Sequence, residues 1–88
     1  MDATAKLKDL AVSDTGFVFD PYSGSTFSAN EAGMKILEGL KQGLSRAEIV
    51  FALEEHFEVR GDDLARDLDE FVLLLRRNQL VPADFSLS

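Results

Sequence analysis

The longest regular pattern of apolar and polar positions runs over Asp62–Arg77, DDLARDLDEFVLLLRR. Leu64, Leu68, Phe71, Val72 and Leu75 recur at the three-and-four spacing of a buried helix stripe. At ~100° per residue they fall within roughly one third of the circumference. Leu74 sits at the edge of that stripe. Leu73 points to the far side, among Arg66, Asp69, Arg76 and Arg77. Leu73 is therefore either an ordinary exposed leucine or part of a surface that meets something besides the core.

The N-terminal part has a shorter period. Residues 1–5 carry no anchoring pattern and are expected to be disordered. Residues 6–12, with Leu7, Leu10 and Val12 apolar, read as a short strand or a loose turn. Ser13, Asp14, Thr15 and Gly16 are a turn signal. Phe17, Val18 and Phe19 then form a strand of aromatic and β-branched residues. In the loop that follows, Pro21 presets φ, Asp20 can accept from the turn amides, and Gly24 can take the left-handed conformation. Ser25, Thr26, Phe27 and Ser28 return as the partner strand. Pairing Asp20 with Ser25 sets Val18 opposite Phe27 and Phe19 opposite Thr26. Val18, Phe27 and Ala29 then share a face that is expected to rest on the helices. Phe17 and Phe19 share the other, which needs cover from Leu7, Leu10, Phe85 or a partner.

Two helices precede the long one. Asn30 is an N-cap with Glu31 beside the positive helix end, and Ala32, Ile36, Leu37 and Leu40 give the first stripe, with Met34 at its margin. Gly43 ends this helix in a left-handed cap, and the internal Gly33 and Gly39 mark close packing. Ser45 and Glu48 form a capping box for the second helix, whose apolar face is Ile49, Val50, Leu53 and Phe57. A short link over 58–61 leads to Asp62, the expected cap of the third helix. Asn78 is the expected left-handed residue at its end, with Leu80 and Val81 folding back before Pro82. The architecture is α+β and winged-helix-like: a short N-terminal antiparallel sheet of two or three strands, then a three-helix bundle. One domain is expected over 6–81, with a C-terminal tail at 82–88.

Composition narrows the chemistry. The chain has 88 residues, no cysteine and a net charge of −7. Without cysteine there are no disulfides, thiolate metal sites or thiol nucleophiles, which suits a cytoplasmic location. A single histidine, His56, leaves too few ligands for zinc, and Asp62 with Asp63 lacks the alternating oxygens of a calcium loop. Catalysis, a cofactor and a metal are therefore not expected. No apolar run reaches ~18 residues, so no membrane span is expected. A winged-helix shape raises DNA binding, but the third helix carries five acidic against three basic residues. Phosphates repel such a helix, so no nucleic-acid partner is expected.

Residues 17–33, FVFDPYSGSTFSANEAG, resemble the PqqD family of small peptide-binding proteins, also called RiPP recognition elements. The family's Leu-Asn-Glu-Thr-(Gly/Ala) at the first helix start reads here Ala29, Asn30, Glu31, Ala32, Gly33. Residues 47–59, AEIVFALEEHFEV, are similar to its second helix, and 67–81, DLDEFVLLLRRNQLV, to its third helix and closing Leu-Val. The resemblance spans roughly 13–81. It implies a non-enzymatic peptide chaperone that binds a precursor leader peptide and presents it to a modifying enzyme, often a radical SAM protein. Ala29 and the acidic charge point outside PQQ synthesis itself. The family's groove lies between the returning strand and the third helix. That places a peptide-binding site at Ser25, Thr26, Phe27 and Ser28, reached by strand addition, with Asp69, Val72, Leu73 and Arg76 across from it. The alternatives are an acidic winged-helix transcriptional regulator and a generic interaction module using Phe17 and Phe19. A monomer and a homodimer through the same sheet edge are both open.

Overall fold

A computed structural model describes residues 5–58 and 62–87. A short 3-10 turn at Ala5–Asp9 leads into β1 (Ala11–Val12), β2 (Phe17–Phe19) and β3 (Thr26–Ser28). Three helices follow: α1 (Glu31–Lys41), α2 (Arg46–Phe57) and α3 (Asp62–Arg77). The fold is α+β, with one antiparallel sheet in the order β1-β2-β3. The segment read as strand or turn supplies both, because Leu7 and Leu10 are drawn into the core while Ala11 and Val12 pair with Phe19 and Val18.

The hairpin has the expected register, with Val18 opposite Phe27 and Phe19 opposite Thr26. Its loop is held from inside by Asp20, which is buried. The Asp20 carboxylate accepts from the Ser23 hydroxyl at 2.7 Å and the Tyr22 amide at 2.8 Å, and Gly24 has φ +76°. Those hydrogen bonds, that of Ser23 first, hold the Asp20 carboxyl below its ordinary pKa. The Tyr22 hydroxyl donates to Asp9, which pushes the phenol pKa up, and Lys6 lies 5.2 Å from the Tyr22 ring. The loop is thereby fastened to the 3-10 turn.

The helices begin and end largely as their sequences specify. Asn30 Oδ1 accepts from the Gly33 amide at 2.8 Å, Ser45 and Glu48 close a capping box, and Gly43 has φ +78°. Gly39 lets α2 approach, since a Cβ there would stand 2.9 Å from Ile49. The end of α3 differs from expectation. The left-handed residue is Gln79 (φ +59°), not Asn78. Asn78 stays bonded to the helix, its amide and side-chain nitrogen both donating to the Leu74 carbonyl. The reversal therefore falls one residue later, and the Leu80 amide returns to the Leu75 carbonyl at 2.9 Å. Leu80 and Val81 are buried as the expected latch. The Asp62 capping side chain, the link over 59–61 and residues 1–4 of the expected disordered 1–5 lie outside the described residues, while Ala5 opens the 3-10 turn.

One core unites Leu7, Leu10, Val18, the stripes of all three helices, Leu80 and Val81. Phe27 and Ala29 pack against it, so the inner sheet face rests on the helices as expected. The outer face differs. Leu7 and Leu10 are inside, and Phe85 and Leu87 pack against the helical core, where Arg76 Nε donates to the Phe85 carbonyl at 2.8 Å. None of these covers Phe17 and Phe19, which remain 55% and 43% exposed.

Candidate functional site

The sheet has one strand edge suited to pairing. The Asp20 amide donates to the Ser25 carbonyl at 2.8 Å, and the Ala29 amide to the Gly16 carbonyl at 2.7 Å. Positions 20 with 25 and 16 with 29 are thus hydrogen-bonded pairs. Antiparallel alternation makes Val18 with Phe27 the next such pair. Phe27 therefore spends its backbone groups on β2. Those of Thr26 and Ser28 point away from the sheet, and both residues are exposed. β1, at the opposite edge, has only two residues, so β3 is the longer template.

A cleft opens beside that edge. Its lining is Ser28 and Ala29 at the end of β3, Asn30, Gly33 and Ile36 of α1, and Asp67, Glu70, Phe71 and Leu74 of α3. It encloses roughly 220 Å³. The floor is apolar, with Ile36 and Phe71 buried. The mouth is acidic, with Asp67 and Glu70 both exposed. Gly33 makes the floor possible, because a Cβ there would press on the Phe71 ring at 3.2 Å and on the Ala29 methyl at 3.2 Å.

The expected site residues separate into two groups. Thr26, Phe27 and Ser28 form the edge strand, and Ser25 belongs to the loop, with its amide on Ser23 Oγ at 3.2 Å. On α3, Leu73 is exposed, at 40%. Val72 is buried in the core. Asp69 accepts from Arg46 of α2 through both terminal guanidinium nitrogens, Nη2 at 3.1 Å. That bond keeps the Asp69 carboxyl below its ordinary pKa and raises that of Arg46. Asp69 and Arg76 lie about 150–180° round the helix from the stripe of Asp67, Glu70, Phe71 and Leu74. The α3 wall of the cleft is that stripe. It was hidden in the sequence because Asp67 and Glu70 read as solvated polar positions. The signal available was Gly33, which requires a bulky partner on the facing helix, and Phe71 is flanked at helical spacing by Asp67, Glu70 and Leu74.

The family model described as "Coenzyme PQQ synthesis protein D (PqqD)" matches residues 16–81, three quarters of the chain. The chain belongs to the PqqD family. No curated protein and no solved structure matches it. The match begins at Gly16, where β2 opens, and ends at Val81, the latch behind α3, so edge strand and cleft both lie within it. PqqD-family proteins are accessory, peptide-binding components of PQQ-type biosynthesis. Among the described residues no group of three or more His, Cys, Asp or Glu side chains is arranged to hold a metal. No helix among them is long and apolar enough to cross a membrane.

Proposed function

We propose that this PqqD-family protein is a non-enzymatic chaperone that takes the leader of a precursor peptide as a fourth strand on β3 and presents it to a modifying enzyme. The observation that carries this reading is the outward-facing backbone of Thr26 and Ser28 beside the cleft wall of α3. Main-chain bonds to those two residues give affinity without regard to sequence. Side chains on one face of the added strand reach the cleft and give choice. The floor of Ile36, Phe71 and Leu74 takes an apolar stem, and Leu73 extends the contact outward. The family suits a cytoplasmic system whose enzyme is a radical SAM protein, with a peptide outside PQQ synthesis itself.

The test is an NMR titration of labelled protein with the leader segment of a precursor peptide encoded beside it. Shifts should gather on Thr26, Ser28 and residues 67–74. A peptide that binds yet leaves those amides unmoved removes the strand-addition reading. The uncovered Phe17 and Phe19 favour a second reading, a protein-interaction surface on the outer sheet face. Shifts confined to Phe17 and Phe19 select it.

A further inference from the structure

The cleft has an electrostatic character that the strand edge lacks. Nine residues line it, and they include two carboxylates and no cation. Asp67 and Glu70 have no ion-pair or hydrogen-bond partner among the described residues. Two carboxylates without a counter-charge therefore stand at the mouth, above a floor of buried Ile36 and Phe71.

Such a shape has a specific complement. A leucine or phenylalanine would fill the floor and leave two carboxylates partly desolvated beside it, which disfavours it. An acidic side chain would be repelled. A lysine or arginine lays its methylene stem along the apolar floor and keeps its charged head at the rim, between the carboxylates and water. The cleft holds several water volumes of about 30 Å³ each, room for one such long side chain. We propose that the cleft selects a peptide carrying lysine or arginine at the position that faces α3. Asp67 and Glu70 are then its specificity-determining residues. This inference rests on the strand-addition reading above and assigns the chemistry of its side-chain pocket.

The experiment is selection of a phage-displayed random dodecapeptide library on the immobilised protein and on the Asp67→Asn/Glu70→Gln double variant. Both substituted residues are exposed, so the variant keeps the fold, and its amide spectrum checks this. Selected sequences are resynthesised with norleucine in place of the basic residue, and affinities are measured by calorimetry. Binders of the native protein should share one lysine or arginine. Norleucine should weaken them about five- to tenfold, an effect absent in the double variant and reduced between about 50 mM and about 500 mM salt. Binders that shift Thr26 and Ser28 but tolerate norleucine equally in both proteins would overturn the charge selectivity and leave strand addition standing. A library that yields no binder acting on β3 removes both.

Discussion

Gly16→Ala tests how the edge strand β3 is held in place. Gly16 has φ +92°, and a Cβ there would stand 2.6 Å from the Ala29 carbonyl oxygen, a backbone atom that cannot rotate away. Two costs add. Holding alanine in left-handed backbone costs about 1–2 kcal/mol. Relieving the contact means parting the Gly16 and Ala29 strands, which weakens the 2.7 Å hydrogen bond between them at about 0.5–1.5 kcal/mol. The sum is about 1.5–3.5 kcal/mol, against a total of roughly 4–13 kcal/mol for a domain of this length. Gly24→Ala is the matched control. Its φ is +76° but nothing lies within 4 Å of the added methyl, so only the backbone cost of about 1–2 kcal/mol applies. Urea unfolding followed by far-UV circular dichroism reads both, with unchanged m-values. Thermal melts should show Gly16→Ala lowered by about 6–28 °C. Equal losses in the two variants would refute the argument, because the contact with Ala29 would then contribute nothing.

Two further predictions concern charge. Asp20, Glu48 and Asp69 all have lowered pKa values, held there first by the Ser23 hydroxyl, the Ser45 amide and Arg46 respectively. A folded-state pKa below the unfolded value of about 4 means stability that is present above that pH and lost as pH falls through the folded-state values. Melting temperature should therefore drop on acidification below about pH 4, and less steeply in Asp20→Asn. An identical slope in that variant would contradict the role of the Asp20 turn. The Arg46 and Asp69 side chains are 34% and 63% exposed, so a double-mutant cycle should give a coupling of only about 0.2–1 kcal/mol, falling with salt. A coupling of several kcal/mol would mean that the pair is shielded from solvent far more than its exposure allows.

The local signals in the sequence were sufficient for most of the scaffold. The hairpin register followed from Asp20, Pro21 and Gly24, the caps from Asn30, Ser45 and Gly43, and the core from three stripes at helical spacing. What was less legible depended on contacts between elements. Asn78 is a residue type suited to a left-handed cap, yet its two bonds to Leu74 shift the left-handed position one residue further, to Gln79. Phe85 could equally have covered the outer sheet face, and only its place beside Arg76 and the helical core decides otherwise. At the site, the returning strand was readable from its residues, and its place at the sheet edge follows only from the strand order. The flank of α3 that meets it was not. Asp67, Asp69, Glu70 and Arg76 all look like a solvated face until Arg46 on α2 claims Asp69 and the cleft claims Asp67 and Glu70.

The contacts that build the cleft also stabilise the fold. The Ala29 amide donates to the Gly16 carbonyl on one side, and its methyl packs on the other against Gly33 of α1, where a Cβ would stand 3.2 Å from it. Phe71 fills the space that Gly33 leaves open, joining α1 to α3 beneath the edge strand. Sheet edge and helix wall are therefore spaced by packed backbone and a buried ring before any peptide arrives. On the proposed strand addition, a peptide on β3 would meet a wall already in place, and the free energy of ordering the receptor would not subtract from affinity. The small residue at position 29 fits that arrangement, because a larger side chain would compete with Phe71 for the space above Gly33. Substituting it would be expected to close the cleft rather than merely alter its lining.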